Sequence, residues 1–232
     1  MNITLKLFLY AILILVSSLS FATDTDNDGL PDDWELENGR DPLVADYMVS
    51  AGVHHTCAKD DSGVVCWGDT VDWPLQLPNL SSPSQLIASQ ATFGITPHVH
   101  ACALYDLDVV CWGNNEFGQT NVPALSNPTQ ISAGWRTSCA IDDTGLVCWG
   151  LTPQIPSLVN PTKVNIHGDY FCALDDTGVV CWGSSGFGMP AIPQLTNPTQ
   201  VDVGYNHVCA LDDSGVTCWG SNDYGQTDVP DT

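Results

Sequence analysis

Residues 209–220 read Cys209-Ala210-Leu211-Asp212-Asp213-Ser214-Gly215-Val216-Thr217-Cys218-Trp219-Gly220. Two β-type runs flank Asp-Asp-Ser-Gly, in which Asp favours the start of a turn and Gly the left-handed position that ends it. The stretch is therefore a hairpin, and it recurs with changes from Cys57, Cys102, Cys139 and Cys172. Every copy separates its two cysteines by eight residues and closes on Trp-Gly. All 10 cysteines fall into these five pairs, so none is left over.

Register follows from the turn. If Asp60 to Gly63 is the loop, Lys59 pairs with Val64, Ala58 with Val65 and Cys57 with Cys66. Cysteines opposite each other at a non-hydrogen-bonded pair stand about 4.5 Å apart at Cα, within the disulfide range of about 4.4–6.8 Å. The reading is five local disulfides: Cys57–Cys66, Cys102–Cys111, Cys139–Cys148, Cys172–Cys181 and Cys209–Cys218. Each closes a loop of about ten residues and contributes roughly 2–3 kcal/mol on the chain-entropy model. A zinc site fits less well, because it usually takes Cys-x2-Cys spacing and a second ligand pair.

A further β-type run precedes each hairpin, at Met48 to Gly52, Gln85 to Ser89, Gln130 to Gly134, Lys163 to Gly168 and Gln200 to Gly204. Asn-Pro and Gly-Gln turns separate the runs, and no helical periodicity interrupts them. The first cysteines lie 33 to 45 residues apart, the range of a propeller blade or solenoid turn. The second copy is the weakest, since Tyr105 to Asp108 replaces the usual turn.

Gly-x-x-His-x-Cys-Ala-Leu, Gly-Val-x-Cys-Trp-Gly and Asn-x-x-Gly-Gln together resemble the regulator of chromosome condensation repeat, in the cysteine-paired form of exported bacterial proteins. The resemblance covers about residues 47 to 230. It implies an all-β fold, a β-propeller built from four-stranded blades that commonly number seven. This chain has five repeats, spaced more tightly. A closed ring of about five short disulfide-stapled blades lies within the four-to-eight range, and an open or incomplete array is the alternative.

Ahead of the repeats, residues 24–35 read Asp-Thr-Asp-Asn-Asp-Gly-Leu-Pro-Asp-Asp-Trp-Glu. Acids occupy positions 1, 3, 5, 9 and 12 of a twelve-residue calcium loop, with Gly29 at the sharp turn. The candidate Ca2+ ligands are Asp24, Asp26, Asp28, the Leu30 carbonyl, Asp32 and Glu35. Calcium takes six to eight oxygens, and alternate residues of a tight loop bring their carboxylates to one point. Asp32 to Glu37 reads as one or two turns of helix, stopped at Asn38-Gly39. With Asp41-Pro42-Leu43 the run resembles one thrombospondin type 3-like calcium repeat, which places a segment at 23–46 before the array at 47–232.

Residues 1–22 read as a signal peptide. Lys6 precedes an apolar run from Leu7 to Val16, and Ser20-Phe21-Ala22 suits a signal peptidase. That run is short for a membrane span, so no stable span is expected after cleavage. Export, whether to the periplasm, the cell surface or the medium, would place the cysteines where disulfides persist.

The chain of 232 residues carries 27 acidic against 5 basic side chains, a net charge of −22. Such a surface repels phosphate backbones, so nucleic acid is not an expected partner. Five tryptophans at one repeat position (Trp67, Trp112, Trp149, Trp182, Trp219) read as packing. His55, His100 and His207 share another position, which Thr137 and Tyr170 fill in the remaining copies, so they too read as structural. Trp135, Tyr170 and Tyr205, with Phe117, Phe187 and Tyr224, could line one face. No nucleophile elbow, zinc-protease motif, phosphate loop or unpaired cysteine is present. The expectation is a non-catalytic, calcium-binding module for a protein or an envelope polysaccharide, able to form a homo-oligomer if its ring is incomplete. The alternative is an envelope hydrolase acting on polysaccharide through paired carboxylates.

Overall fold

The computed structural model describes residues 23, 25, 32–37, 42–43, 48–60, 63–68, 80, 83–89, 99–184 and 191–230. The chain divides into two compact units, Met1–Asp46 and Tyr47–Thr232. The expected signal peptide lies outside the described residues. In the first unit, helix α1 spans Asp32–Glu37, the turns expected from its sequence. No described helix is long and apolar enough to cross a membrane.

The second unit holds five antiparallel sheets, each of three strands consecutive in sequence. Blade 1 is β1 (Met48–Ala51), β2 (His55–Asp60) and β3 (Gly63–Gly68). Blade 2 is β4 (Pro83–Ala88), β5 (His100–Tyr105) and β6 (Asp108–Gly113). Blade 3 is β7 (Gln130–Ala133), β8 (Thr137–Asp142) and β9 (Gly145–Gly150). Blade 4 is β10 (Lys163–His167), β11 (Tyr170–Asp175) and β12 (Gly178–Gly183), and blade 5 is β13 (Gln200–Val203), β14 (His207–Asp212) and β15 (Gly215–Gly220).

The hairpin register is the expected one, with Lys59 opposite Val64, Ala58 opposite Val65 and Cys57 opposite Cys66. The weak second copy keeps it too. Asp106 takes a left-handed φ of 51°, so Tyr105 can pair with Asp108 without a glycine. Its first strand carries an irregularity between Pro83 and Gln85.

Among the described residues each blade has three strands rather than the four that the family resemblance implies. After each Trp-Gly of blades 2 and 3, and before the next first strand, stand Pro123 and Pro128, then Pro153, Pro156 and Pro161. Proline has no N–H to give a ladder, so these segments run as irregular connections.

Alternation along the strands gives every blade two unlike faces. One bears the disulfide with a Leu or Ile in blades 2 to 5 and Lys59 in blade 1, and the other bears the tryptophan. Cys172, Leu174, Val179 and Cys181 of blade 4 pack against Val201, Val203, Val208, Ala210 and Trp219 of blade 5. The same joint links blade 1 to 2, 2 to 3 and 3 to 4. The core is thus four repetitions of a disulfide face seated on a tryptophan face. Within blade 4, Phe171 stacks on Trp182 at 5.4 Å between ring centroids.

First strands neighbour one another in the order β1, β4, β7, β10, β13, and no packing of similar extent joins β13 back to β1. Of the two arrangements expected from the sequence, the described residues are consistent with the open array.

Candidate functional site

The amide of Asp32, the first residue of α1, donates to the Thr23 carbonyl at 2.8 Å. The Asp32 carboxylate accepts the Thr25 amide and the Thr25 hydroxyl, each at 2.7 Å. Positions 2 and 9 of the twelve-residue run are thereby drawn together across it. The Thr25 hydroxyl and amide hold the Asp32 carboxyl below its usual 3.8. Asp24, Asp26, Asp28 and Leu30 lie outside the described residues, as does the Glu35 side chain, although Glu35 belongs to α1. Among the described residues no group of three or more His, Cys, Asp or Glu side chains converges on a metal-sized point.

In the blades, all ten cysteines form the expected pairs, with Cα separations of 4.0–4.1 Å. The Asp-Asp turns do more than turn. Asp142 accepts the Thr144 amide at 2.8 Å and its hydroxyl at 2.6 Å, and its other oxygen takes the Ser126 amide at 2.8 Å. Its neighbour Asp143 accepts the Asn127 side-chain amide, and Asn127 stands at a φ of 49°. Blades 4 and 5 repeat the arrangement through Asp175 with Val159, and Asp212 with Thr196. Asp176 and Asp213 likewise bind Asn160 and Asn197. These carboxylates tie each hairpin turn to the connection sixteen residues upstream. They are engaged by amides and hydroxyls rather than set in pairs for acid–base work.

For Asp142 and Asp175, burial is the strongest influence and acts to raise the pKa. The Thr144 or Thr177 hydroxyl and three amides outweigh it in each case, holding both below 3.8. Asp212 is lowered chiefly by the Ser214 hydroxyl. Asp175→Asn turns one acceptor into a donor, most damaging when it faces the Val159 amide. It is expected to cost about 2 kcal/mol by the loss of a charge-assisted bond, read as a lower urea midpoint. Asp176→Asn, on the exposed side of the turn, is expected to cost less.

The histidines are structural. His100 is fully buried and its Nε2 lies 2.8 Å from the Ser138 hydroxyl. That hydroxyl and the Trp149 indole N–H both donate to the Gln119 carbonyl, at 2.9 and 2.8 Å. The Gln119 side chain closes its own loop through the Phe117 amide and Asn114, which is why Gly-Gln recurs in the repeat. Burial lowers His55 to about 4 and also lowers His167. Between pH 6.5 and 4 the unfolded chain binds protons that the folded chain does not, so stability falls with falling pH. Below 3.8 the three aspartates add to the loss. Melting temperatures taken from pH 7.5 down to 4.5 are expected to fall continuously, and a flat profile would contradict the neutral, buried state of His55.

Of the six aromatics considered for one face, Trp135 and Phe117 share the Arg136 guanidinium. Tyr170 is 4% exposed and belongs to the core between blades 4 and 5. Tyr205 meets His167 edge-on at 5.9 Å, Tyr224 is 94% exposed, and Phe187 lies outside the described residues. Arg136 was not marked by any motif. Its guanidinium lies 3.9 Å from the Trp135 ring centroid and 5.2 Å from that of Phe117, and pairs with Asp169 at 2.7 Å. Being one of only five basic residues was its only signal in the sequence.

Sequence comparison with curated proteins returns no match. Among solved structures, the chain resembles the ectodomain of the receptor kinase CR4 from Physcomitrella patens at 23% identity and a TM-score of 0.60, over 75% of this chain and 50% of that one. Human WBSCR16 matches at 18% identity and a TM-score of 0.61, over 79% and 64%. Prp20p of Saccharomyces cerevisiae matches at 19% and 0.60, over 80% and 60%. The chain thus spans between half and two thirds of the length of these structures, and at such identities the likeness concerns the fold. The family model of the regulator of chromosome condensation (RCC1) repeat matches residues 199–226. The second unit is therefore a propeller-type array of five disulfide-bonded blades, and its last blade matches the RCC1 repeat.

Proposed function

We propose that the chain is an exported, non-catalytic interaction module that presents its blade array to another protein or to a cell-surface polymer, with a calcium loop at its N-terminal side. The observation that carries the reading is the covalent design of the blades. Five local disulfides and no free cysteine suit an oxidising compartment and would be hard to keep in a reducing one. The side chains that could have been chemical are used structurally: His100, Asp142, Asp175 and Asp212 all hold blades or turns together. Prp20p has binding properties toward Gsp1p and histones, and a partner-binding role supports this reading by analogy. Histones are not carried over, because this chain is expected outside the cell, and nucleic acid is not, because the chain is strongly acidic.

For the N-terminal segment, Asp24, Asp26, Asp28, the Leu30 carbonyl, Asp32 and Glu35 are proposed as Ca2+ ligands. The tie between Asp32 and Thr25 supports a closed loop there. Bound calcium would neutralise clustered carboxylates that otherwise repel one another. Isothermal titration with calcium is expected to show one site that Asp28→Ala removes, and chelation is expected to lower the melting temperature. Titration without heat in the wild type would overturn the calcium assignment. Affinity capture from envelope and culture-supernatant fractions, with and without calcium, tests the interaction role. Turnover of an envelope polysaccharide by the purified chain would contradict it.

A further inference from the structure

We propose that the 232-residue chain associates head to tail with a second copy of itself, the tryptophan face of blade 1 seating on the disulfide face of blade 5. These faces are the two unmatched halves of a joint that the array makes four times. Trp112, Trp149, Trp182 and Trp219 are 6–8% exposed, each covered by the preceding blade, whereas Trp67 is 51% exposed. Beside it Val49 is 74% and Val65 45% exposed. At the other end Leu211 is 37% and Val216 51% exposed. Together with Cys209 they border a concavity of about 500 Å³. The equivalent residues of blade 4, Leu174 and Val179, are packed against Trp219.

The polar fittings match as well as the apolar ones. At the joint of blades 2 and 3, the Gln85 side chain accepts the Ile131 amide at 2.9 Å and donates to the Thr129 carbonyl. Gln130 brackets Val164 in the same way at the next joint, at both its amide and its carbonyl. Blade 5 keeps this residue as Gln200, and Val49 is the residue it would bracket on blade 1.

The second fitting is the Gln119 carbonyl of blade 2, which receives Ser138 and Trp149 of blade 3. Blade 5 has the same loop, with Gln226 accepting the Tyr224 amide as Gln119 accepts that of Phe117. Blade 1 supplies Thr56 and Trp67 at the positions of Ser138 and Trp149. The joint between blades 4 and 5 lacks these fittings, with Lys163 in place of the glutamine and Val208 in place of the hydroxyl. The two free ends therefore carry a more complete joint than one the chain makes internally.

Packed joints are stiff, and among the described residues β13 makes no packing with β1 of the extent that joins neighbouring blades. Union within one chain is thus not made, and a second copy supplies the missing half. Such a contact is heterologous, so it closes into a ring or propagates. The net charge of −22 opposes it at low salt. Screening at higher salt, with a Debye length of about 8 Å at 0.15 M, should strengthen it.

Sedimentation velocity of the mature wild-type protein tests this. Its mass average is expected to rise with concentration and with salt to at least twice the monomer value. Trp67→Asp and Val216→Asp, each with unchanged circular dichroism and five intact disulfides, are expected to remain monomeric alone. Mixed, they should form a one-to-one complex that stops at two chains, because each retains the face the other lost. A wild-type chain that stays monomeric overturns the proposal, and so does association that survives both substitutions. Like-to-like pairing, in which only Trp67→Asp has an effect and mixing restores nothing, overturns it equally.

Discussion

Gly183→Ala is expected to lower the melting temperature by roughly 10 °C or more, the largest effect of any single methyl group added to the array. Gly183 closes blade 4 with a φ of +98°. A methyl group there would press on the Asp169 carbonyl oxygen and come within 2.9 Å of the Phe171 ring. Phe171 is fully buried against Trp182, so it has nowhere to retreat. A strained backbone of this kind costs about 1–3 kcal/mol and overpacking a further 1–3 or so. At about 2–4 °C per kcal/mol for a unit of this size, the two together give the stated shift. Gly215→Ala separates the two contributions. Gly215 has a φ of +111° but nothing within 4 Å of the added carbon, so it should show the backbone strain alone. Equal losses at the two positions would show that the close approach to Asp169 and Phe171 is not what fixes the Trp-Gly signature.

The second large effect concerns the staples. Cys139→Ala with Cys148→Ala removes the bond of the central blade, and is expected to cost about 3 kcal/mol through the loop-closure entropy of the unfolded chain. Cys139 is fully buried and its bond forms part of the face on which blade 4 sits. The variant should therefore lose stability without losing secondary structure, as read by urea unfolding with circular dichroism. The same double change at Cys209 and Cys218 removes a bond from the disulfide face of blade 5, which no described blade covers and whose Leu211 and Val216 are exposed. Its cost should fall more nearly on the entropy alone. A variant at Cys139 and Cys148 as stable as the wild type would show that these bonds are incidental to the fold.

The hairpins were legible because turn chemistry and cysteine spacing are local. Asp-Asp-x-Gly fixes the register, and register places Cys57 opposite Cys66 without reference to any other blade. The helix from Asp32 to Glu37 was readable for the same reason. Ring closure was not, because it depends on the small rotation at each joint summed over five blades, and no residue records that sum. The number of strands per blade was obscured differently: the family pattern implies a fourth strand, while the prolines between blades deny it a ladder. The aspartates at 142, 175 and 212 were readable as turn residues, but their second bonds reach sixteen residues upstream. The Asn-Pro before blades 3, 4 and 5 marked the other end of that tie, and its φ near +48° at Asn127, Asn160 and Asn197 explains why asparagine recurs there. The proposed calcium loop is the reverse case, a ligand pattern complete in sequence of which the described geometry is the contacts of Asp32.

The central claim is that each repeat is a self-contained hairpin locked by its own bond, with blades joined by packing alone. Peptide mass mapping of non-reduced protein, alkylated before digestion, tests it most directly. The account predicts no alkylated cysteine and five cross-linked peptide pairs, each joining cysteines nine positions apart. Free thiols in the folded protein, or a bond between cysteines of different repeats, would contradict it.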